Sequence, residues 1–242
     1  AIIIAPHPKA RRCSGLTVEL INKAIAKFNV PEGLVQIIDE PSIEKTQELM
    51  KACDVVVATG GMPMVKSAYS SGKPSYGVGA GNVQVILDRN INFTKTAEKM
   101  VKGRTFDNGI ICSGEQSFIY HKDDRAAVMA AFTASGAYIV PETDREKVIS
   151  AIFEDGHIAR DIVGQFPSVI AKKAGISIPE NTKVLVVEAH GYGNADIISK
   201  EKMCPVLAAF PYSTIDEAVT IAKTNLELEG NGHTAGIHSN TQ

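Results

Sequence analysis

Cys112 is the residue whose type and surroundings point most directly to covalent chemistry. It stands between the apolar pair Ile110-Ile111 and the polar segment Ser113-Gly114-Glu115-Gln116. Phe106-Asp107-Asn108-Gly109 predicts a turn. After it we expect an extended segment that runs through Cys112 to Tyr120 and places Cys112 at the end of a strand. There, backbone N–H groups stabilise an oxyanion while the thiolate attacks a carbonyl carbon without a metal. The alternative is a small buried hydrophobic residue, which is what most lone cysteines are.

Two glycine clusters follow predicted strands and favour nucleotide binding. Ala58-Thr59-Gly60-Gly61 joins the carboxyl end of one strand to a helix, and Gly77-Val78-Gly79-Ala80-Gly81-Asn82 follows another strand. Backbone N–H groups at a helix N-terminus attract phosphate, and glycine lets a ligand approach the backbone closely. Ordinary turns explain the same glycines. The pattern GxGxxG is absent, so this would be a variant cofactor site.

Three further polar segments each have two interpretations. Glu201, in the charged stretch before Cys204-Pro205, accepts hydrogen bonds from ribose hydroxyls or belongs to a solvated loop. His233, among glycines, is an acid/base candidate or a capping residue, and composition favours the cap. His7, in Pro6-His7-Pro8-Lys9, lines the adenosine side of a cofactor or stiffens a loop.

Short β-branched runs alternate with helical patterns along the chain, which predicts an α/β fold with a doubly wound, Rossmann-like parallel sheet covered on both faces. The predicted strands cover 1–5, 34–38, 55–58, 75–78, 83–87, 184–187 and 206–210. The predicted helices cover 14–28, 42–52, 63–71, 93–102, 124–134, 144–153 and 214–226, with Ser14 and Ser42 as N-caps of the first two. Near 102–105 the regular alternation of strands and helices gives way to a turn and an extended segment, which predicts two domains, 1–103 and 104–242.

Composition indicates a cytoplasmic enzyme. The 242 residues are 44% hydrophobic and 21% charged, with a net charge of -2. No Lys/Arg run suggests nucleic-acid binding, no apolar stretch reaches the ~20 residues of a membrane span, and no signal-peptide pattern is visible. The four cysteines are widely spaced without CxxC pairs, which argues against a metal site or a disulfide framework and suits a reducing compartment.

In this order and spacing, the motifs resemble the aldehyde dehydrogenase superfamily and, within it, the CoA-acylating branch. The resemblance covers essentially the whole chain and is most specific around Cys112. It includes acylating succinate-semialdehyde and acetaldehyde dehydrogenases and the aldehyde half of bifunctional aldehyde–alcohol dehydrogenases. The segments that carry it are APHPKA (5–10), ATGG (58–61), AYSSGKP (68–74), GVGAGN (77–82), TFDNGIICSGEQS (105–117), EKMCPV (201–206) and GHTAG (232–236).

The resemblance implies a role for each matching residue. Cys112 falls on the family's nucleophile, and Met203 takes the place of an aromatic residue beside the nicotinamide in hydrolytic relatives. His233 becomes a possible acid/base or CoA-side residue. The residues that fall on or near nicotinamide-cofactor contacts are Pro6, His7, Thr59, Gly60, Gly61, Val78, Gly79 and Glu201. The implied fold is aldehyde dehydrogenase-like, with a cofactor-binding domain over 1–103 and a catalytic domain over 104–242.

One departure from the hydrolytic members concerns their Glu-Leu-Gly-Gly segment, whose glutamate activates the water that deacylates the enzyme. The corresponding residues here are Gly77-Val78-Gly79-Ala80, so that base is missing. Water attacks a thioester slowly without a base, whereas a CoA thiolate needs none. The resemblance therefore implies interconversion of an aldehyde, CoA and NAD(P)+ with acyl-CoA and NAD(P)H through a cysteine thioester.

Several points stay open at the level of sequence. The aldehyde is succinate semialdehyde or acetaldehyde, with sulfoacetaldehyde as a further option, and the cofactor is NAD or NADP. The alternatives are a non-catalytic nucleotide-binding module and a hydrolytic enzyme whose base comes from elsewhere. Members of the resembled family extend further at both ends, so we expect a central fragment of a longer, homo-oligomeric protein.

Overall fold

The computed structural model describes residues 1–241 as an α/β structure. The strands are β1 (Ile2–Ile4), β2 (Val35–Ile37), β3 (Val56–Thr59), β4 (Ser75–Val78), β5 (Val83–Leu87), β6 (Glu115–His121), β7 (Ala137–Ile139), β8 (Phe153–Glu154), β9 (His157–Ile158), β10 (Val184–Glu188), β11 (Val206–Tyr212) and β12 (Ala235–His238). The helices are α1 (Arg11–Ala26), α2 (Ile43–Ala52), α3 (Met62–Tyr69), α4 (Phe93–Thr105), α5 (Arg125–Ala134), α6 (Glu142–Ile152), α7 (Pro167–Ala174) and α8 (Ile215–Leu228). The chain forms two compact units, Ala1–Val78 and the remainder from Gly79.

The first unit contains two separate pairs of parallel strands, β1–β2 and β3–β4, with α1, α2 and α3. The sequence predicts strands covered on both faces, and in the first unit helices cover one face of β3. Val56 and Ala58 pack into a small core with residues of α2 and α3, but Val57 between them is 76% exposed. Alternate residues of a strand point to opposite faces, and within this unit the helices cover one of them.

The beginning of α1 differs from the prediction, whereas that of α2 agrees with it. Ser14 lies inside α1, because a 3₁₀ turn over Pro8–Ala10 runs straight into the helix at Arg11. A proline near a helix start fixes a φ angle that already suits the helix. Ser42 does cap α2: its hydroxyl oxygen accepts a hydrogen bond from the Lys45 N–H at 3.2 Å.

The second unit is built on a six-stranded sheet in the order β12-β5-β6-β11-β10-β7, and every neighbouring pair is parallel. Successive residues of β10 show how it is covered. Val184 and Val186 pack in the cluster with α4 and α5, while Leu185 and Val187 pack in the cluster with α6, α7 and α8. The predicted α/β fold, with a parallel sheet buried on both faces, is confirmed here.

Strand β5 and most of helix α4 fall within the predicted range 1–103, but both elements belong structurally to the second unit. The cause is strand pairing: β5 lies beside β6, with Val85 opposite Phe118, and Met100 of α4 packs into the same core. The compact units therefore divide between Val78 and Gly79. The assignment of cofactor and catalytic roles to 1–103 and 104–242 is a separate matter and stays a prediction.

Several short elements have no counterpart among the predicted ones: β7, the β8–β9 hairpin and α7. Strands of two or three residues are too short to show a periodic pattern. Among residues 1–241, no helix combines the length and the hydropathy needed to cross a bilayer.

Candidate active site

Four of the sequence motifs lie in loops that precede neighbouring strands of the six-stranded sheet. Residues 79–82 lead into β5, residues 110–114 into β6, residues 201–205 into β11 and residues 229–234 into β12. These strands are consecutive in the order β12-β5-β6-β11 and run parallel. Parallel strands all begin at one edge of a sheet, so the four loops meet at the amino edge. This edge is the candidate active site of the second unit.

The structure corrects the predicted setting of Cys112. It lies in a turn before β6 instead of at the end of an extended segment, and the Gly114 N–H closes that turn on the Ile111 carbonyl at 3.1 Å. Asp107 and Asn108 have left-handed φ angles of 50° and 48°, which interrupts any strand in this region. The side chain of Cys112 is half-buried and forms no disulfide.

The turn before Cys112 is strained. After Asp107 and Asn108, Gly109 has a φ of 75°. Each left-handed non-glycine residue costs about 1–2 kcal/mol, so such a run persists where neighbouring groups hold it. Gly109 is one point of support, since a Cβ there would lie 2.6 Å from the Cys204 carbonyl oxygen. Backbone strain of this kind concentrates at functional sites.

Gly81 lies directly against the backbone of Cys112. A Cβ at position 81 would overlap the Cys112 carbonyl oxygen and lie 2.9 Å from the Cys112 Cβ, so a side chain does not fit. The Gly81 N–H donates to Glu201 Oε1 at 3.0 Å. The structure thus brings the predicted nucleophile, the second glycine cluster and Glu201 together.

The loop that carries Glu201 and Met203 is held through its backbone groups by side chains from other parts of the chain. The Lys202 N–H donates to Gln116 Oε1 at 2.8 Å, and the Glu201 N–H donates to Glu229 Oε2 at 2.9 Å. The guanidinium of Arg104, fully buried, donates to the Cys204 carbonyl. Three separate parts of the second unit therefore hold this loop in place.

Burial changes the titration of several groups beneath this loop. It lowers the pKa of Arg104 to about 10. It lowers the pKa of Lys202 to about 7, and repulsion from Arg104 adds to the shift. The Lys202 Nζ donates to the Ile198 and Lys200 carbonyls at 2.8 and 2.7 Å. Burial raises the pKa of the Cys204 thiol to about 11, which makes this neighbouring cysteine a poor nucleophile.

A buried polar network supports the glycine cluster from behind. Asn82 Nδ2 donates to the Ser199 carbonyl at 2.7 Å and to the Asn225 carbonyl at 3.0 Å. Asn225 Oδ1 accepts from the Gly193 N–H, and its Nδ2 donates to Gln84. Asn225 is not among the residues predicted from sequence. It follows Ala218, Ile221 and Ala222 at helical spacing, so a polar residue on the buried face of α8 was the available signal.

His233 lies in the turn before β12, half-buried. The favoured expectation that it caps an element is wrong: its Nδ1 lies 2.7 Å from Thr234 Oγ1, and its N–H donates to the Gly230 carbonyl. Gly230 allows the chain to reverse after α8, because its φ is 91°. The structure thus places His233 in the loop set at the amino edge. Its chemical role stays a prediction.

In the first unit, the predicted cofactor residues Thr59, Gly60, Gly61 and Val78 lie at the carboxyl ends of β3 and β4. Thr59 ends β3, and Gly61 is the N-cap of α3 without any side chain to cap the helix. The Gly60 N–H donates to the Val78 carbonyl at 3.1 Å, which holds the two strand ends together. Both Thr59 and Gly61 are exposed. An uncapped, exposed helix N-terminus suits a phosphate group.

His7 has a clear structural task. Its Nδ1 accepts a hydrogen bond from the Lys9 N–H at 3.2 Å, and it caps the 3₁₀ turn that begins at Pro8. This agrees with the interpretation of His7 as a residue that stiffens its loop. The exposed imidazole and the half-buried Pro6 leave the adenosine role untested.

Position 77 is packed against α3. A Cβ there would lie 2.7 Å from Val65 Cγ1 and 2.9 Å from Tyr69 Cε2, and the Gly77 N–H donates to the Tyr69 hydroxyl at 3.2 Å. A side chain at this position would require the side chains of Val65 and Tyr69 to shift. Glycine at 77 is therefore built into the packing of the first unit.

Comparison with known proteins agrees with this arrangement. A succinate-semialdehyde dehydrogenase (acetylating) from Clostridium kluyveri is 51% identical over 98% of this chain and 53% of its own length. The crystal structure of an acetylating aldehyde dehydrogenase from Geobacillus thermoglucosidasius is 40% identical, with a TM-score of 0.95 over 99% of this chain and 53% of that one. The crystal structure of Rhodopseudomonas palustris propionaldehyde dehydrogenase with bound propionyl-CoA is 31% identical, with a TM-score of 0.88 over 100% of this chain and 53% of that one.

The chain thus spans about half the length of these three proteins. A family model described as aldehyde dehydrogenase family matches residues 1–241. Together with the parallel sheet and the loops at its amino edge, this match shows that the chain belongs to the aldehyde dehydrogenase family.

Proposed function

We propose that the protein containing this chain is a CoA-acylating aldehyde dehydrogenase that interconverts an aldehyde, CoA and NAD(P)+ with acyl-CoA and NAD(P)H. The observation that carries the proposal is the cluster at the amino edge: Cys112 lies against Gly81, and the Gly81 N–H binds Glu201. The succinate-semialdehyde and acetylating relatives support succinate semialdehyde or acetaldehyde as the substrate.

Cys112 begins the reaction as a nucleophile. Its thiolate attacks the aldehyde carbon and forms a thiohemiacetal, whose oxyanion is stabilised by backbone N–H groups of the turn. The nicotinamide, which Met203 would line, would supply the hydride acceptor needed to oxidise this adduct to the acyl-cysteine thioester. The CoA thiolate then attacks the thioester carbonyl, takes the acyl group and restores the Cys112 thiolate. Thioester exchange costs little free energy, so the reaction runs in both directions.

The cofactor residues fit a dinucleotide in their chemistry. The uncapped start of α3 suits the pyrophosphate, and a carboxylate suits ribose hydroxyls. We assign pyrophosphate and ribose contacts to Thr59, Gly60, Gly61, Val78, Gly79 and Glu201, the nicotinamide side to Met203, and the adenosine side to Pro6 and His7. His233 is assigned to the CoA side or to proton transfer.

Transfer to CoA instead of water is supported by position 77. Glutamate there is the base that hydrolytic relatives use, and here its place is taken by a glycine that packs against Val65 and Tyr69 of α3. Deacylation by water lacks an activating base at this position, whereas a thiol of ordinary acidity attacks a thioester unaided. The propionyl-CoA bound to the Rhodopseudomonas palustris enzyme is consistent with this choice.

The cellular compartment and the oligomeric state are also part of the proposal. The four cysteines are all free, which suits a reducing compartment, and we infer the cytoplasm. That the full-length protein is a homo-oligomer rests on the family resemblance, and light scattering of the purified protein tests it.

The test uses the full-length protein that carries this sequence. We expect Cys112→Ser to abolish acyl-CoA reduction while NADH or NADPH still binds, and Cys13→Ser, at an exposed cysteine of the first unit, to retain full activity. Aldehyde oxidation should yield acyl-CoA and stop when CoA is omitted. Near-normal turnover by Cys112→Ser would refute the nucleophile, and free acid formed at the same rate without CoA would identify a hydrolytic enzyme.

A further inference from the structure

Gly164 connects the turn before Cys112 to the loop that carries Met203. Its N–H donates to the Met203 carbonyl at 2.8 Å, and its own carbonyl accepts from Asn108 Nδ2 at 3.1 Å. One peptide residue thus uses both of its backbone groups to join two parts of the candidate active site. No motif in the sequence analysis included Gly164.

The position favours glycine for two reasons. Gly164 has a φ of 70°, in the left-handed region. A Cβ there would also lie 2.5 Å from Ile110 Cδ1, the side chain two residues before the nucleophile. Gly164 therefore touches the turn both through Asn108 and through Ile110.

Asn108 needs such support because of its own backbone. It is the second of three consecutive residues with positive φ, and Asp107 and Gly109 are its neighbours. Asparagine tolerates the left-handed region better than most residues, and its side-chain amide donates to the Gly164 carbonyl. The hydrogen bond holds a conformation that an unsupported loop would leave.

We propose that Asn108 and Gly164 are positioning residues for the reaction. They hold the left-handed turn that presents Cys112 and tie it to the loop of Glu201 and Met203, so that the nucleophile and the nicotinamide-side residues keep a fixed geometry. The inference rests on the proposed function of Cys112 and adds two residues to it. A misplacement of about 1 Å at a reacting centre costs on the order of 100-fold in rate, which is the scale of effect expected.

The first test changes Asn108 in the full-length protein. Asn108→Gly keeps the left-handed backbone accessible and removes the amide, while Asn108→Asp keeps the shape and loses the donor. We expect both to lower kcat by about 100-fold, with the KM for acyl-CoA little changed. Alkylation of Cys112 by iodoacetamide, followed by mass spectrometry of its peptide, should slow as well.

The matched control is Asn90→Gly. Asn90 has a φ of 60°, lies in the same unit and is exposed, after β5. We expect wild-type kcat and alkylation from this variant. A role of Asn108 that is only structural would lower Tm and leave the kcat and the alkylation rate of the folded variants unchanged, and that result would overturn the proposal.

The second test uses the contact between Gly164 and Ile110. Gly164→Ala introduces the clash with Ile110 Cδ1, and Ile110→Val removes that atom. We expect Gly164→Ala to lower kcat strongly and the double variant to recover part of the loss. Strictly additive effects of the two changes on kcat would contradict a positioning contact.

The proposal and the function on which it rests fail in different ways. If Cys112→Ser is active, the proposed function is wrong. If Cys112→Ser is inactive but Asn108→Gly and Asn108→Asp react at the wild-type rate, the function stands and the positioning role is wrong.

Discussion

At the scale of single residues, the four cysteines differ by their surroundings. Cys204 is fully buried with a raised pKa, whereas Cys112 is half-buried in a strained turn against Gly81. Cys13 and Cys53 belong to the first unit. All four residues carry a thiol, so the surroundings of Cys112 are what distinguish it as the candidate nucleophile.

Gly81 gives a prediction at this scale. Gly81→Ala forces a methyl group into the Cys112 carbonyl, so the turn must move. We expect a loss in kcat on the order of 100-fold, measured as acyl-CoA reduction by the full-length protein. The control is Gly15→Ala in α1, where a Cβ meets nothing within 4 Å. Equal activity of the two variants would show that Gly81 does not support Cys112.

Lys202 gives a prediction about pH. Its pKa is lowered to about 7 from an ordinary value of 10.5, so between these limits the unfolded chain holds a proton that the folded chain lacks. Its contribution to the free energy of unfolding therefore rises with pH from about 7 to 10.5. Below pH 7 both states are charged, and the cost of the buried ammonium is fully present.

The measurement is urea unfolding of wild type and Lys202→Met at about pH 7 and about pH 10. We expect wild type to gain stability relative to Lys202→Met as the pH rises, because only wild type has this titration. Lys95→Met, at an exposed lysine, should show no such trend. A stability difference between wild type and Lys202→Met that is constant with pH would contradict a buried, proton-releasing Lys202.

At the scale of elements, the sequence located the long helices and the buried strands but not their limits. The strands at 75–78 and 83–87 coincide with prediction. The start of α1 does not, because a 3₁₀ turn capped by His7 precedes it. A hydrophobic period in the sequence indicates which residues face a core. A 3₁₀ turn, or a three-residue strand such as β7, contains too few residues for a period to be visible.

Asn225 of α8 carries the prediction for elements. Its amide joins Gln84 of β5 to the Gly193 N–H, and all three groups are buried. Asn225→Leu leaves the buried Gly193 N–H without its acceptor, while Gln84 Oε1 keeps the hydrogen bond from Ser117 Oγ. We expect this change to lower the free energy of unfolding by about 2 kcal/mol. Lys223→Ala on the exposed face of α8 should change it by less than about 0.5 kcal/mol. Comparable urea midpoints for the two variants would contradict the network.

At the scale of the whole molecule, the sequence predicts which residues form the candidate site but not where in the fold they come together. The sequence indicated the Cys112, Gly79–Asn82 and Glu201 segments, and the structure joins them at the amino edge of one sheet. The sequence predicts a turn over 106–109, where Asp107 and Asn108 are left-handed. It also predicts an extended segment after that turn, because two isoleucines before Cys112 resemble a strand, but Cys112 lies in a further turn. Gly164 lies 52 residues from Cys112, and only the fold brings it near.

The central claim is that Cys112 carries the acyl group. The most direct measurement is mass spectrometry of the full-length protein after brief incubation with succinyl-CoA or acetyl-CoA and no reduced cofactor. We expect the peptide that contains Cys112 to gain the mass of one acyl group. Added CoA should remove this group, and the Cys112→Ser variant should not acquire it. An unmodified Cys112 peptide in an enzyme that reduces the same acyl-CoA would contradict it.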